Sequence, residues 1–422
     1  MLTVALLKEN KDLVISGLRK KFVAQPEQIV DQVLEADSRR RTLQFELDGI
    51  LSESNQKAKQ IGELMKSGQK EAAEKLRAET AASKETSKAL QEQLQQAESE
   101  VQALLVKLPN LPHHSVPEGR SAEDNVVVLE KGEKPTLAAD ALPHWDLIKK
   151  YDIIDFELGN KITGAGFPVY KNKGARIQRA LIQFFLDQAV EAGYMEVQVP
   201  IFVNEDSAYG TGQLPDKDGQ MYYATEDNLY VIPTAEVPIT NIYRDVILKS
   251  EDLPIKNVGY TPCFRREAGS WGADVRGLNR LHQFDKVEIV QIATPENSYE
   301  VLLEMRNHIQ GLLEQLELPF RILHLCGGDM SFTSALTYDF EVYSAAQKKW
   351  LEVSSVSNFE SYQANRLKLR YKAEGKTQLL HTLNGSALAL PRILAALLEN
   401  NQSPEGIMIP KVLHRYTGFD KI

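Results

Sequence analysis

From Glu27 to Leu108 apolar residues recur every three or four positions, with no proline and with glycine only at 49, 62 and 68. The first half of the repeat runs Ile29, Val33, Ala36, Arg40, Leu43, Leu47, Ile50, Ser54, Lys57, Ile61, Leu64. The second runs Ala73, Leu76, Thr80, Ser83, Ser87, Leu90, Leu94, Ala97, Val101, Leu104, Leu108. The two series are mirror images about Gly68–Gln69: Ile29 faces Leu108, Val33 faces Leu104, Leu47 faces Leu90 and Ile61 faces Leu76. Seam residues that must meet layer by layer predict an antiparallel two-helix coiled coil folded at Lys66-Ser67-Gly68. At 1.5 Å per residue over about forty residues, each helix is roughly 60 Å long. Ser54 with Ser83 and Lys57 with Thr80 make polar layers, so the half toward the turn is expected to be looser. Before this arm, Met1 to Phe22 reads as a helical lead-in with Leu6, Leu7, Leu13, Val14 and Leu18 as its apolar face and Asn10 as a cap.

Past Leu108 the rhythm breaks. LPNLPHHSVPEGRSAEDN, rich in Pro, Gly and Ser, reads as a linker over 109–125 between an N-terminal domain, 1–108 with its arm at about 27–108, and a mixed domain over 126–422. His113-His114 has no third ligand nearby and reads as incidental. Residues 175 to 194 carry helical spacing up to Gly193, and MEVQVP alternates as a strand ending at Pro200. Thr261 to Val290 reads as strand, loop, strand, with Gly269, Gly272 and Gly277 marking the polar loop. A period of two in its second strand sets His282, Phe284, Lys286 and Glu288 on one face. Pro295 to Leu318 is helical by periodicity, and Asp339 to Tyr343 and Leu351 to Phe359 are strands. His381 to Gln402 reads as a strand, a small-residue turn and a helix beginning near Pro391, with Arg392 in its first turn.

At 422 residues, 43% hydrophobic and 25% charged, the chain has an average soluble composition and room for two domains. A net charge of −9 excludes a protein that coats nucleic acid indiscriminately, so RNA contact must come from local basic patches. Such a patch exists: Ser54 to Leu90 holds eight Lys/Arg against five Glu, net +3, whereas the rest of the arm is net −6. Only Cys263 and Cys326 are present, in apolar contexts and without CxxC spacing, which suits a reducing cytoplasm. No run of signal-peptide or membrane-span length is found.

Candidate chemistry gathers on the strand-loop-strand stretch. Arginines at 265, 266, 276 and 280, with Glu267, Asp274 and an aromatic, suit nucleotide phosphates and a stacked base, though a charged surface hairpin has the same composition. Gly210 to Gly212 follows no clear strand and lacks phosphate-loop spacing. Thr234-Ala235-Glu236 reads as a loop between Pro233 and Pro238. Glu352 and Ser355 offer oxygens three residues apart, a possible edge for a hard cation or a structural pair.

FRREAG, then G-x-D-x-x-G, then R-x-HQF-x-KVE resembles the second defining motif of class II aminoacyl-tRNA synthetases in the form peculiar to seryl-tRNA synthetases of bacterial type. The helix at 175–194 with its proline-ended strand resembles the first motif, and HTLNGSALALPR resembles the third. The resemblance implies an α+β fold, a class II antiparallel sheet flanked by helices behind an N-terminal coiled-coil arm. It implies a cytoplasmic, homodimeric ligase that uses ATP and Mg²⁺ to make seryl-adenylate and passes the seryl group to tRNA(Ser), with tRNA(Sec) as a further acceptor. The arm would reach the long variable arm of the tRNA.

Carried over residue by residue, Arg265 and Arg392 are catalytic. The nucleotide is held by Arg265, Arg266, Glu267, Arg280, Phe284, Glu352, Val353, Ser354, Ser355 and Arg392, and Mg²⁺ by Glu352 and Ser355. Serine falls to Thr234, Ala235, Glu236, Arg265, Glu288, Asn384 and Ser386. The family commonly has glycine where this chain has Ala387 and Pro391. Ala387 is expected to narrow the pocket floor, and Pro391, tolerated in a first turn, to leave Arg392 in place. Two alternatives stand: a paralogue that loads a carrier protein, and a coiled-coil interaction protein with a dead catalytic body.

Overall fold

The structure, a computed structural model, describes residues 1–216, 218–267, 276–373 and 375–422. Gly269, Gly272 and Asp274 of the polar loop lie outside the described residues. The chain divides into two compact units, Met1–Leu111 and Pro112–Ile422. Among the described residues no helix is long and apolar enough to cross a membrane.

The first unit begins with two helices rather than one, α1 (Val4–Glu9) and α2 (Lys11–Lys20), which break at Asn10. Asn10 occupies the cap position expected of it, ending α1 with its N–H on the Leu6 carbonyl at 2.9 Å and preceding α2, although its side chain makes no cap hydrogen bond. The start of α1 is capped by Thr3, whose Oγ1 accepts from the Leu6 N–H at 3.2 Å. Helix α3 (Pro26–Lys66) starts on proline, whose missing N–H would have had no intrahelical partner there, and returns as α4 (Lys70–Leu105). Gly68 sits in the turn at φ +79°, a conformation open to glycine at little cost. Every seam residue of the two mirrored series is buried or half-buried. Val33, Ala36, Leu47, Leu94, Ala97 and Val101 are fully buried, but toward the turn only Ala73 is, and Ser54, Lys57, Thr80 and Ser83 are half-buried. Lys57 bridges the helices there, 2.9 Å from Glu53 and 3.5 Å from Glu79.

The second unit is built on an eight-stranded sheet. Its strands are β1 (Val126–Lys131), β2 (Met195–Glu196), β3 (Ile255–Phe264), β4 (Gln283–Ala293), β5 (Phe320–His324), β6 (Leu336–Ser344), β7 (Lys349–Asn358) and β8 (His381–Ala389). They lie in the order β1-β5-β6-β7-β8-β4-β3-β2, antiparallel throughout except for β2 on β3. Helices α5 (His144–Lys150), α6 (Asn172–Glu191), α7 (Glu205–Thr211), α8 (Glu236–Asn241), α9 (Ser298–Gln315), α10 (Ser361–Leu367) and α11 (Leu390–Asn400) complete the frame. Leu181, Phe184 and Phe185 of α6, Leu302, Met305 and Ile309 of α9, and Ile393 and Leu394 of α11 share one core with Val287 and Ile289 of β4 and Leu383 of β8. Each such fully buried side chain contributes about 1.5–3 kcal/mol.

Two further local expectations are corrected. MEVQVP pairs only over Met195–Glu196, with one more bond from the Val197 N–H to the Val258 carbonyl, so the ladder ends before Pro200 is reached. Gly210 and Gly212 form no phosphate loop, in line with their spacing: Gly210 belongs to α7, and Gly212 is that helix's left-handed cap at φ +93°. The small residues of NGSALA form no turn but continue β8, held between β4 and β7. Gly385 pairs with both Ile289 and Val356, and a Cβ there would come within 3.0 Å of Val356. Ladders on both sides outweigh the weak strand propensity of such residues.

Candidate active site

Strand β4 sends Val287 and Ile289 into the core and Phe284, Lys286 and Glu288 into a cavity of about 540 Å³ on the other side. His282, placed by alternation with that face, lies before the ladder begins and turns away. Its ring stacks on Phe167 with centroids 5.4 Å apart, and its Nδ1 is 2.9 Å from the Tyr222 hydroxyl.

One end of the cavity is cationic. The Arg265 guanidinium lies 5.3 Å from the Phe284 ring centroid, and Glu267, at φ +50°, pairs with Arg280. Arg392 enters from the first turn of α11. Its Nε donates to the Asn279 carbonyl at 3.0 Å and its Nη1 to the Glu352 carbonyl at 2.8 Å, with Pro391 before it lining the same wall.

Strand residues three apart ordinarily face opposite ways. Between β6 and β7, Phe340 pairs with Ser354 and Glu341 with Glu352, leaving Val353 as an extra residue. This bulge turns Glu352 to the side of Ser355, so both line the cavity together with Val353 and Ser354. Ser355 donates to the carboxylate of Asp339, whose pKa is raised well above the usual carboxylate range by burial and then by the charge of Glu352. Two carboxylates forced together beside a hydroxyl are hard oxygen donors that fit a divalent cation.

The other end is acidic. Lys286 Nζ stands 2.6 Å from Glu288 Oε2 and donates to Thr234 Oγ1 at 2.8 Å. Ser386 Oγ reaches the same Glu288 oxygen at 3.4 Å. Glu236, expected in a loop, opens α8, and its Oε1 accepts from Gln363 Nε2 at 2.6 Å with Asn384 also bonded to its carboxyl. Burial, then the charge of Glu288, pushes the Glu236 carboxyl up to about 7.

Thus the cavity wall contains Arg265, Glu267, Arg280, Phe284, Glu352, Val353, Ser354, Ser355, Arg392, Thr234, Glu236, Glu288, Asn384 and Ser386. It does not include Arg266, which is exposed with its N–H on the Gln220 carbonyl, or Ala235, which is fully buried against Ile239 and Val290. Ala387 does not narrow the floor, because its methyl points into the core on the opposite face of β8. Lys286 and Gln363 were not among the candidates. Parity sets Lys286 on the face of Phe284 without giving it a role; nothing local marks Gln363.

A family model described as "tRNA synthetase class II core domain (G, H, P, S and T)" matches residues 222–401, and one described as "Seryl-tRNA synthetase N-terminal domain" matches residues 1–112. The chain is 51% identical to a serine--tRNA ligase of Salinibacter ruber, covering 100% of this chain and 99% of that one. It is 47% identical to a serine--tRNA ligase of Prosthecochloris aestuarii with the same coverage. The crystal structure of seryl-tRNA synthetase from Pyrococcus horikoshii complexed with ATP superposes at a TM-score of 0.92 with 33% identity, covering 100% of this chain and 99% of that one. With likeness of both sequence and fold running end to end across both units, the chain belongs to the seryl-tRNA synthetase family of class II aminoacyl-tRNA synthetases.

Proposed function

We propose that this chain is an ATP-dependent serine--tRNA ligase whose cavity joins L-serine to AMP and then passes the seryl group to the 3′-terminal adenosine of tRNA(Ser), with tRNA(Sec) as a further acceptor. The observation that carries it is the convergence of Arg265, Phe284 and Arg392, from three separate segments, on a cavity whose far end is acidic. A triphosphate and an ammonium call for opposite fields in one cleft, and the two ends supply them.

Adenine lies on the Phe284 face with Glu267 at its edge, Arg265 meets the α-phosphate, and Arg280 and Arg392 meet the outer phosphates. Glu352 and Ser355 hold Mg²⁺, which neutralises phosphate charge when bound. Glu236 and Glu288 receive the serine ammonium and hydroxyl with Thr234, Asn384 and Ser386. The serine carboxylate attacks the α-phosphorus, pyrophosphate leaves, and a terminal ribose hydroxyl of the tRNA then takes the acyl group as AMP departs. No side chain need act as nucleophile. The residues orient the reactants and stabilise charge on the pentavalent phosphorus. A pocket that hydrogen-bonds the hydroxyl rejects alanine, whose binding would leave buried acceptors unpaired.

The unit Met1–Leu111 carries the helical hairpin that, in this reading, grips the tRNA through the +3 stretch from Ser54 to Leu90. That role, supported by the family match over residues 1–112, disfavours a carrier protein as acceptor. The enzyme works as a cytoplasmic homodimer, as the family implies. ATP–pyrophosphate exchange measured over all the amino acids is the test. Exchange with serine alone is expected, and exchange with a different amino acid only would overturn the assignment.

A further inference from the structure

The turn Gly277–Asn279 forms the part of the cavity wall from which Arg280 extends and on which Arg392 leans. What holds this turn lies outside the cavity. His144, the first residue of α5, is wholly buried; its Nδ1 is 2.7 Å from Glu399 Oε1 and its Nε2 is 2.8 Å from the Leu278 N–H. A backbone N–H can only donate, so Nε2 is the acceptor and the proton sits on Nδ1, facing Glu399.

Glu399, buried near the end of α11, also accepts from the His144 N–H and Gln347 Nε2, each at 2.9 Å, and from Ser344. Burial pushes its carboxyl up, but these donors, His144 first, outweigh burial and hold it below the ordinary range. Gln347 in turn accepts from Asn279 Nδ2 at 2.9 Å. Glu399 is therefore linked to Leu278 through His144 and to Asn279 through Gln347. Gly277 completes the fit: its φ is +65°, and a Cβ there would come within 2.3 Å of His144 Nε2.

We propose that His144 is a positioning residue for the phosphate end of the site: clamped by Glu399, it holds the Leu278–Asn279 turn, and the Asn279 carbonyl holds the Arg392 guanidinium against the nucleotide. The proposal rests on the reading that Arg392 meets the outer phosphates. An imidazole is suited to the task because it donates from one nitrogen while accepting at the other across the width of its ring. An asparagine amide can reproduce only the Nδ1 donor, and a glutamine carbonyl only the Nε2 acceptor.

The test is serine-dependent ATP–pyrophosphate exchange by the full chain and its variants, with KM for ATP and for serine measured separately. His144→Asn, which loses the acceptor for Leu278, is expected to raise KM for ATP by about tenfold and to leave KM for serine within about twofold. His144→Gln, which restores that acceptor, should recover most of the loss. Gly277→Ala perturbs the same contact from the turn side and should show the same ATP-selective defect, so the question stays open to refutation even if a His144 variant fails to fold. In an Arg392→Ala background, His144→Asn should add little. Equal losses in the Asn and Gln variants, a parallel rise in KM for serine, or a parental KM for ATP in Gly277→Ala would overturn the positioning role. A parental chain with no serine-dependent exchange would instead overturn the proposed function and this inference with it.

Discussion

The Lys286 ammonium lies 2.6 Å from the Glu288 carboxylate, and both side chains are almost fully withdrawn from solvent. Two positions apart on β4, they form a buried ion pair whose cation also holds Thr234. Removing one partner leaves the other charge buried and unpaired, which costs about 3–5 kcal/mol. Lys286→Met should lower the unfolding free energy by about that much in urea denaturation, and adding Glu288→Gln should restore a large part of it. Losses that simply add in the double variant would show that the two groups do not support each other.

Glu236 sets a pH dependence whose sign follows from its raised carboxyl. In the unfolded chain it ionises near 4.5, in the folded one near 7. Between those values the folded state keeps a proton that the unfolded state has lost, so stability falls as pH rises from about 4.5 to about 7, by ~3 kcal/mol, and is flat above. Binding the serine ammonium needs the ionised form, so KM for serine should fall about tenfold between pH 6 and pH 8. Glu236→Gln should flatten both curves while weakening serine binding. A parental KM profile with no such slope would mean that the ammonium binds elsewhere.

Arg265, stacked over Phe284, is the residue best placed to meet charge that grows on the α-phosphorus. Arg265→Ala should cost about 2–4 kcal/mol of transition-state stabilisation, comparable to losing an oxyanion donor. Pyrophosphate exchange within a few-fold of the parent would remove Arg265 from the mechanism.

Ala387 marks where a sequence comparison and a side-chain direction part company. Its methyl packs into the core between sheet and helices, not into the serine pocket. Ala387→Gly should therefore lower stability by about 0.5–1 kcal/mol through backbone freedom alone, with some further loss from the vacated methyl, and leave KM for serine unchanged. A changed KM with unchanged thermal unfolding would return the residue to the pocket floor.

What could be read in advance was whatever repeats or alternates. The hairpin's mirrored seam is a one-dimensional pattern, so its register and its fold-back near Gly68 were legible, as was the sidedness of Phe284, Lys286 and Glu288. Glu352 and Ser355 were harder. Their spacing contradicts strand parity until the Val353 bulge is seen, and that bulge arises in pairing with Phe340 and Glu341, a neighbour choice that local sequence does not encode. His282 shares the parity of Phe284 yet lies outside the ladder, held by the Gly166 carbonyl, so alternation misplaced it. NGSALA has the composition of a turn and becomes a strand only because β4 and β7 hold it from both sides. Gln363, brought to Glu236 across 127 residues, carries no signal before the chain has folded.

The hairpin provides a test that separates the two chemical steps. Its charge changes sign along its length, and the Ser54 to Leu90 part carries the net +3 that can approach a phosphate backbone. The seam there is partly polar and, Ala73 apart, only half-buried, so this part contributes less to stability than the Leu47 and Leu94 layers do. Replacing Ser54 to Leu90 with a short turn should leave serine-dependent pyrophosphate exchange near the parental rate and abolish aminoacylation of tRNA(Ser). Charge-neutral substitutions of Lys59, Lys70, Lys75 and Arg77 should weaken tRNA binding and flatten its dependence on salt, since each lost phosphate contact removes about one unit of slope in log affinity against log salt. Normal aminoacylation by the shortened chain would assign the hairpin some task other than holding tRNA. Loss of exchange as well would show that the catalytic unit depends on it.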